Sequence, residues 1–385
     1  MNRLNFGFIG VGQCGGNIAN TFAGQGFDAI ALNTSQVDLD LLHNIPNNRR
    51  KLINLGLHGA GKNPEIGKAA LEHHVEEILS LVIETFTTNT EMLFVCAGLG
   101  GGTGSGATPL LMEILCDHGY PVGAIVTIPS DTEGHKTKTV FLRAIEEIAA
   151  LEKLGGVFIV DNGKTLTMPK HIGKITRYEL INESVASKFE NLSLMPSMSS
   201  VISFDERDLI STLLLNGCAG MVSVPLIKAY ELKDANRFVK NIVSAFSYSV
   251  FADTHISQAR AVVLLFEIKR DQEQYLNAEL EAELSSFFTE AEIGTGVYIN
   301  NDVERESAVH ILVAGMPYPQ ARILAIQKDI EKRALNINTH SNRLTGIDFS
   351  KIKQISNDLI KETELKPAKP GESVLDRILK NRVPR

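Results

Sequence analysis

Three glycine-rich segments carry most of the chemistry legible in this sequence, and each could hold a phosphate. Gly10-Val11-Gly12-Gln13-Cys14-Gly15 satisfies GxGxxG between an apolar run and a helical pattern. Glycines there let backbone N–H groups approach an anion at a helix N-terminus. The usual reading is a dinucleotide site, which wants an acidic residue about 20 positions on to hold the ribose. The next apolar run ends instead in Asn33-Thr34-Ser35, so that reading lacks its second element. Gly56 to Asn63 nearly fits the P-loop pattern GxxxxGK[ST] but closes on Asn63, which has no hydroxyl for Mg²⁺.

The densest segment runs from Ala97 to Gly106, AGLGGGTGSG. Six glycines in nine residues at a strand-to-helix turn are unfavourable in entropy unless the backbone must take unusual angles. A run of N–H groups with the Thr103 and Ser105 hydroxyls makes an anion nest on a positive helix end. The bland alternative is a flexible loop, but such a loop rarely sits beside two other glycine loops at one ligand edge. Three loops at successive strand ends imply one polyphosphate held from several sides.

The elements that must position these loops alternate. Strands are expected at Phe6–Gly10, Ala29–Asn33, Lys51–Leu55, Met92–Ala97, Val122–Ile128 and Val157–Val160. Helices are expected near 14–23, 65–87, 105–118 and 135–153. This β/α alternation predicts an α/β fold with a doubly wound parallel sheet, whose ligands bind at the carboxyl ends of the strands. A long helix near 177–192 and an irregular segment then lead to a smaller α/β domain. Its apolar runs lie at 219–225, 261–266 and 308–315, and a further helix follows at Ala321–Leu335. The expected division is 1–176, 177–203 as central helix and linker, 204–316, and 317–385 as C-terminal helix and tail. Lys366 to Gly371 reads as a flexible linker, and the last stretch is basic through Arg377, Lys380, Arg382 and Arg385.

A length of 385 residues suits two domains with ample cores. The net charge of −7 argues against direct nucleic-acid binding by the molecule as a whole. Four scattered cysteines without a CxxC pair fit a reduced, cytoplasmic protein. The N-terminus does not read as a signal peptide, and no apolar run is long enough to insert in a membrane.

Gly100 to Gly106 resembles GGGTG[ST]G, the defining loop of the tubulin/FtsZ superfamily. The similarity extends along most of the chain. It implies a GTPase that binds GTP or GDP with Mg²⁺. Gly12, Gln13, Cys14, Gly15 and Asn17 resemble the first phosphate loop, with Gln13 also at the metal. Asn33 and Thr34 resemble the second loop, and Gly61, Lys62 and Asn63 belong to a third that faces the γ-phosphate. Gly100, Gly101, Gly102, Thr103, Gly104 and Ser105 form the main cradle. Glu133 falls where the family contacts the ribose, and Asn162 and Asn182 where it reads guanine. Taken singly, each Asn reads better as a turn or cap residue, and Lys62 equally as a solvated loop lysine.

Ser203-Phe204-Asp205-Glu206-Arg207-Asp208 is similar to the family's NxDxxD, with Ser203 in place of Asn. The resemblance implies that Asp205 and Asp208 position water at the nucleotide of the next subunit, and hence head-to-tail filaments that hydrolyse only when assembled. Read alone, Ser203 or Asp205 would simply cap a helix. Asn33 to Asp40, Lys62 and Val160-Asp161-Asn162 resemble the TubZ branch, plasmid and phage segregation tubulins. That branch implies a DNA-binding adaptor on the basic tail. The rivals are a divergent FtsZ-type division protein and, in another class, an NAD enzyme using the Gly10 loop.

Overall fold

The structure is a computed structural model that describes residues 3–341 apart from Leu57, Lys170, Ser199, 227–231, Lys233 and 301–305. The elements in order are β1 (Phe6–Val11), α1 (Gly12–Gly24), β2 (Asp28–Asn33), α2 (Gln36–Asp40), β3 (Arg50–Leu52), α3 (Pro64–Thr85), β4 (Met92–Gly98), α4 (Gly102–Asp117), β5 (Val122–Ile128), α5 (His135–Ala149), β6 (Gly156–Asp161) and α6 (Lys174–Leu194). They continue with β7 (Ser200–Ile202), α7 (Glu206–Leu213), β8 (Gly217–Pro225), α8 (Ala235–Ser247), β9 (Ala261–Ile268), α9 (Ala278–Phe287), β10 (Glu292–Ile299), β11 (Ala308–Met316) and α10 (Gln320–Ser341). The linker at 366–371 and the basic tail lie outside the described residues.

All the strands join one sheet in the order β3-β2-β1-β4-β5-β6-β8-β11-β9-β10-β7. The first six pair in parallel, as a doubly wound α/β sheet requires. Beyond them β8 pairs in parallel with β6, from Gly156 opposite Gly217 to Phe158 opposite Ala219. The sheet therefore runs unbroken into the C-terminal half, where β11 is antiparallel to both β8 and β9.

Period-2 alternation builds the core on both faces. Phe6 and Phe8 of β1 point to one face; Ile9 and Val11 point to the other. The first face packs Phe22 of α1 and Phe189 of α6 among these rings. Phe189 meets Phe94 and Phe158 edge-on, with centroids 4.9 and 5.0 Å apart. Its full burial stabilises the fold by about 1.5–3 kcal/mol and sets how α6 lies across the sheet. The opposite face is filled from α3, α4 and α5, by residues such as Leu71, Leu111 and Phe141.

Two elements begin earlier than their patterns suggest, and glycine is the reason. Helix α1 starts at Gly12, directly after β1, because Gly12 takes φ +71° and turns the chain without a loop. Helix α4 starts at Gly102, so the glycine run is the first turn of a helix rather than an irregular loop. None of Gly100, Gly101, Gly102, Gly104 and Gly106 has positive φ. Gly102, Gly104 and Gly106 are glycine because neighbouring backbone lies against them. A Cβ on Gly102 would sit 2.7 Å from Asn63 N, one on Gly104 2.6 Å from Gly98 O, and one on Gly106 would overlap the Pro64 carbonyl.

Helix α10 crosses back to the N-terminal half. Lys138, almost fully enclosed on α5, donates to the Asp131 carbonyl at 2.8 Å and to Asp329 of α10 at 2.6 Å. Arg322 of α10 pairs with Asp131 at 2.6 Å and Asp161 at 3.1 Å, and donates to the Pro129 carbonyl. The C-terminal helix is thus bolted to the segment that follows β5.

Candidate functional site

A cleft of about 590 Å³ opens along the carboxyl ends of the parallel strands. Its walls come from the turns after β1, β2, β4, β5 and β6, together with the segment from His58 to Lys62 and one face of α6. The strand order reverses between β1 and β4, and the turns after these two strands carry the first glycine motif and the glycine run. That switch point is where such sheets bind ligands.

The structure brings together at this cleft Gly12, Gln13, Cys14, Asn17, Asn33, Thr34, Gly61, Lys62, Gly100, Gly101, Gly102, Thr103, Gly104, Glu133, Asn162 and Asn182. Three sequence candidates lie just behind its walls. Gly15 packs against β4, where a Cβ would overlap the Cys96 carbonyl. Asn63 caps α3, its Oδ1 accepting from Glu65 N at 3.1 Å. Ser105 is buried in α4 and lines a small crevice against α3 and α5.

The glycine turn supplies donors. The first N–H groups of α4 have no partner within the helix, and Gly101 at the N-cap has no side chain to take them. Thr103 Oγ1 lies 2.7 Å from Thr34 Oγ1, so two buried hydroxyls tie the turn after β2 to the start of α4. Lys62 has φ +57°, a conformation that is strained for a residue with a side chain and that clusters at binding sites. Its Nζ donates to Thr137 at 3.3 Å. The sequence leaves Lys62 a solvated lysine or a phosphate contact; the fold holds it in the cleft wall.

Helix α6 forms another wall of the cleft. Tyr178 and Asn182 stand one helical turn apart on α6 and both line the cleft. Burial, followed by the nearby Glu133, holds the Tyr178 phenol above its ordinary range. Burial also pushes the Cys14 thiol up to about 11, so it is a neutral wall group 3.8 Å from Thr127 Oγ1. Glu133 folds back onto its own loop, accepting from Ser130 N at 2.9 Å. Tyr178 escapes sequence reading because only the α6 register joins it to Asn182.

Asp38 is a second residue that motif reading misses. It lies half-buried at the N3 position of α2, where its N–H reaches the Ser35 hydroxyl. Its carboxylate lines the cleft and accepts from Gln13 Nε2 and Asn33 Nδ2, each at 3.3 Å. The Ser35-x-x-Asp38 spacing, a helix-start signature, was the available signal.

The implied metal fits this donor set. Asp38, the Gln13 amide oxygen and the Thr34 and Thr103 hydroxyls are hard oxygen ligands of the kind Mg²⁺ takes. Among the described residues no three or more His, Cys, Asp and Glu side chains gather into a metal cluster. A cation here would therefore be shared with a phosphate ligand, as is usual for Mg²⁺.

Asp205 and Asp208 do not line the cleft. They are exposed at the start of α7, and Asp205 caps that helix by accepting from Arg207 N at 2.7 Å. The segment is held to the C-terminal half, where Phe204 N donates to the Tyr298 hydroxyl of β10 at 3.2 Å.

Residues 5–169 match the sequence profile described as Tubulin/FtsZ family, GTPase domain. The region is a tubulin/FtsZ-family domain. The chain is 32% identical over 259 residues to the tubulin-like protein CetZ of Thermococcus kodakarensis, covering 65% of the chain and 66% of that relative. The aligned region thus spans just under two thirds of that CetZ protein. It is 26% identical over 319 residues to the cell division protein FtsZ of Azotobacter vinelandii, covering 80% and 76%. In fold it resembles a GTPγS-form protofilament of Bacillus thuringiensis serovar israelensis TubZ, with TM-score 0.75 at 18% identity over 89% of this chain and 95% of that one. It also resembles GTPγS-bound CetZ2 of Haloferax volcanii, with TM-score 0.71 at 23% identity over 86% and 99%. Among the described residues no helix is long and apolar enough to cross a membrane.

Proposed function

We propose that this chain is a GTPase that binds GTP and GDP in the cleft and assembles head to tail. The observation that carries the reading is the convergence of the glycine turns, Lys62, Asn162 and Asn182 on one cleft at the sheet's switch point. Backbone N–H groups of the α4 turn take the phosphates, and the Asn162 and Asn182 amides pair with the donor and acceptor edge of guanine. Mg²⁺ when bound neutralises phosphate charge.

Asp205 and Asp208 act on the neighbouring subunit. Phosphoryl transfer needs mainly positioning and charge stabilisation, and two exposed carboxylates can orient the attacking water. Their separation from the cleft of their own subunit favours a site completed only between subunits. Heterologous contacts of this kind generate open filaments when the rotation does not close.

The proposal extends to segregation of plasmid or phage DNA through an adaptor, the reading favoured by the likeness in fold to TubZ. Cell division is the second reading, favoured by the FtsZ relative. A guanine nucleotide should bind and NAD should not, and light scattering should rise on adding GTP. NAD binding, or GTP binding without sedimentable polymer, would overturn the corresponding part. A small DNA-binding protein that co-sediments with the polymer would decide for segregation.

A further inference from the structure

We propose that Arg322 of α10 positions Asn162 for the base by tying the turn after β6 to the turn after β5. The inference rests on the nucleotide reading above and extends that site to the C-terminal helix.

Both turns line the cleft, one through Asn162 and the other through Pro129 and Glu133. Strand pairing between β5 and β6 ends where Ile128 faces Asp161. Beyond that point one side chain spans the two turns. Arg322 Nη1 donates to Asp131 Oδ1 at 2.6 Å, and Nη2 donates to the Pro129 carbonyl at 3.1 Å. Nη2 also reaches Asp161 Oδ1 at 3.5 Å, and Nε lies 3.1 Å from Asp161 Oδ2. Nε is enclosed and poorly aligned for a hydrogen bond, so charge is what holds it to Asp161. The two side chains are only 17% and 11% exposed, which strengthens that pairing. A rigid guanidinium fork also fixes the mutual placement of its acceptors, as a flexible lysine does not.

Asn162 is the residue this clasp sets. Asp161 Oδ1 accepts from Gly163 N at 2.7 Å, which closes a short turn with Asn162 at its centre. Arg322 bears on the same carboxylate, and the fit is close. A Cβ on Gly163 would sit 2.8 Å from Asp161 Oδ1 and 3.0 Å from Arg322 Nη2. The footing on the β5 side is firm as well. The Asp131 carbonyl accepts from the enclosed Lys138, which also pairs with Asp329. Asp329 stands two helical turns after Arg322, so α10 grips this turn at two points. The competing role is purely structural: Arg322 would anchor α10 with no bearing on the base.

A double-mutant cycle separates the two roles. GDP affinity is measured by calorimetry for full-length wild type, Arg322→Ala, Asn162→Ala and the double variant. Arg322→Ala should weaken GDP binding by about 10-fold, the worth of one hydrogen bond to the base. In the Asn162→Ala background the same substitution should weaken it by less than about 2-fold, because the group it positions has gone. Wild-type GDP affinity in Arg322→Ala, or an equal loss in both backgrounds, would overturn the proposal. Urea unfolding checks that Arg322→Ala is folded. If it is not, Arg322→Lys, which keeps a positive charge beside Asp161, must give the same non-additive pattern, and an additive one counts against the proposal. Wild-type GDP affinity in Asn162→Ala would instead remove the base reading on which the inference rests.

Discussion

Gly101 and Gly104 stand three residues apart in one motif, and substituting them should break different things. Gly101 has φ −97°, which any residue adopts, and a Cβ there meets no atom within 4 Å. Ala at this N-cap loses a little capping but restricts the unfolded chain, two opposing effects of about 1 kcal/mol or less. Gly101→Ala should therefore unfold within about 0.5 kcal/mol of wild type. The methyl would stand in the cleft wall, holding the ligand off the N–H groups of α4. Losing one charge-assisted hydrogen bond is worth about 1.5–3 kcal/mol, or about 10- to 150-fold in nucleotide affinity. At Gly104 the order reverses. A Cβ would lie 2.6 Å from the Gly98 carbonyl oxygen and 3.4 Å from that of Val11, both backbone atoms that cannot swing aside. Overpacking of this kind costs about 1–3 kcal/mol, so Gly104→Ala should lower the urea midpoint. Urea unfolding and titration with GDP, run on both variants, give the comparison. Wild-type affinity in Gly101→Ala would refute the claim that the α4 turn approaches the ligand. Wild-type stability in Gly104→Ala would refute the close-packing account of the glycine run.

Other substitutions test the catalytic loop and the α10 junction. Asp205→Asn keeps an oxygen for Arg207 N, so it should bind GTPγS normally while assembled turnover falls by about 100-fold or more; full turnover would remove the catalytic assignment. Asp208→Ala should behave alike and leave long-lived polymer visible by electron microscopy. Asp329→Asn keeps an oxygen that can accept from the enclosed Lys138 but removes the opposite charge beside it, at a cost of about 1–3 kcal/mol given that Asp329 is partly exposed. The hydrogen bond from Lys138 holds the Asp329 carboxyl below its ordinary range. The stability it provides is present above the unfolded carboxylate pKa and lost as pH falls through the lower folded one. The difference between wild type and Asp329→Asn in denaturant midpoint should shrink over that acid window, and a constant difference would refute the ion-pair account. Burial raises the Asp161 carboxyl, and Arg322 opposes the shift. Arg322→Ala should raise it further, so the variant's loss of stability should narrow as pH falls and Asp161 takes a proton; a loss that widens would be the contrary result.

Much of the site was legible because its signals are local. A glycine turn after an apolar run, or an Asn at a strand end, shows itself within a few residues. The order of β and α patterns then places those turns at one edge of the sheet. Sixteen sequence candidates meet in one cleft for this reason. Legible too were the long helix before the irregular segment and the similarity carried by Gly100 to Gly106.

Other features depend on atoms far apart in sequence, and only the tertiary structure decides them. The glycine run looked like backbone needing unusual angles; it is a helix start pressed against the Gly98 and Pro64 carbonyls. Asp38 carries only a helix-start spacing in sequence and becomes a site candidate where Gln13 and Asn33 converge on it. Lys138 reads as one more surface lysine until α10, 191 residues away, encloses it. Strand β8 joins β6 and carries the sheet past the expected domain boundary, a pairing that no local periodicity encodes. Backbone conformation is set largely by neighbours along the chain, whereas close approach, enclosure and charge pairing are set by whatever the finished fold brings alongside.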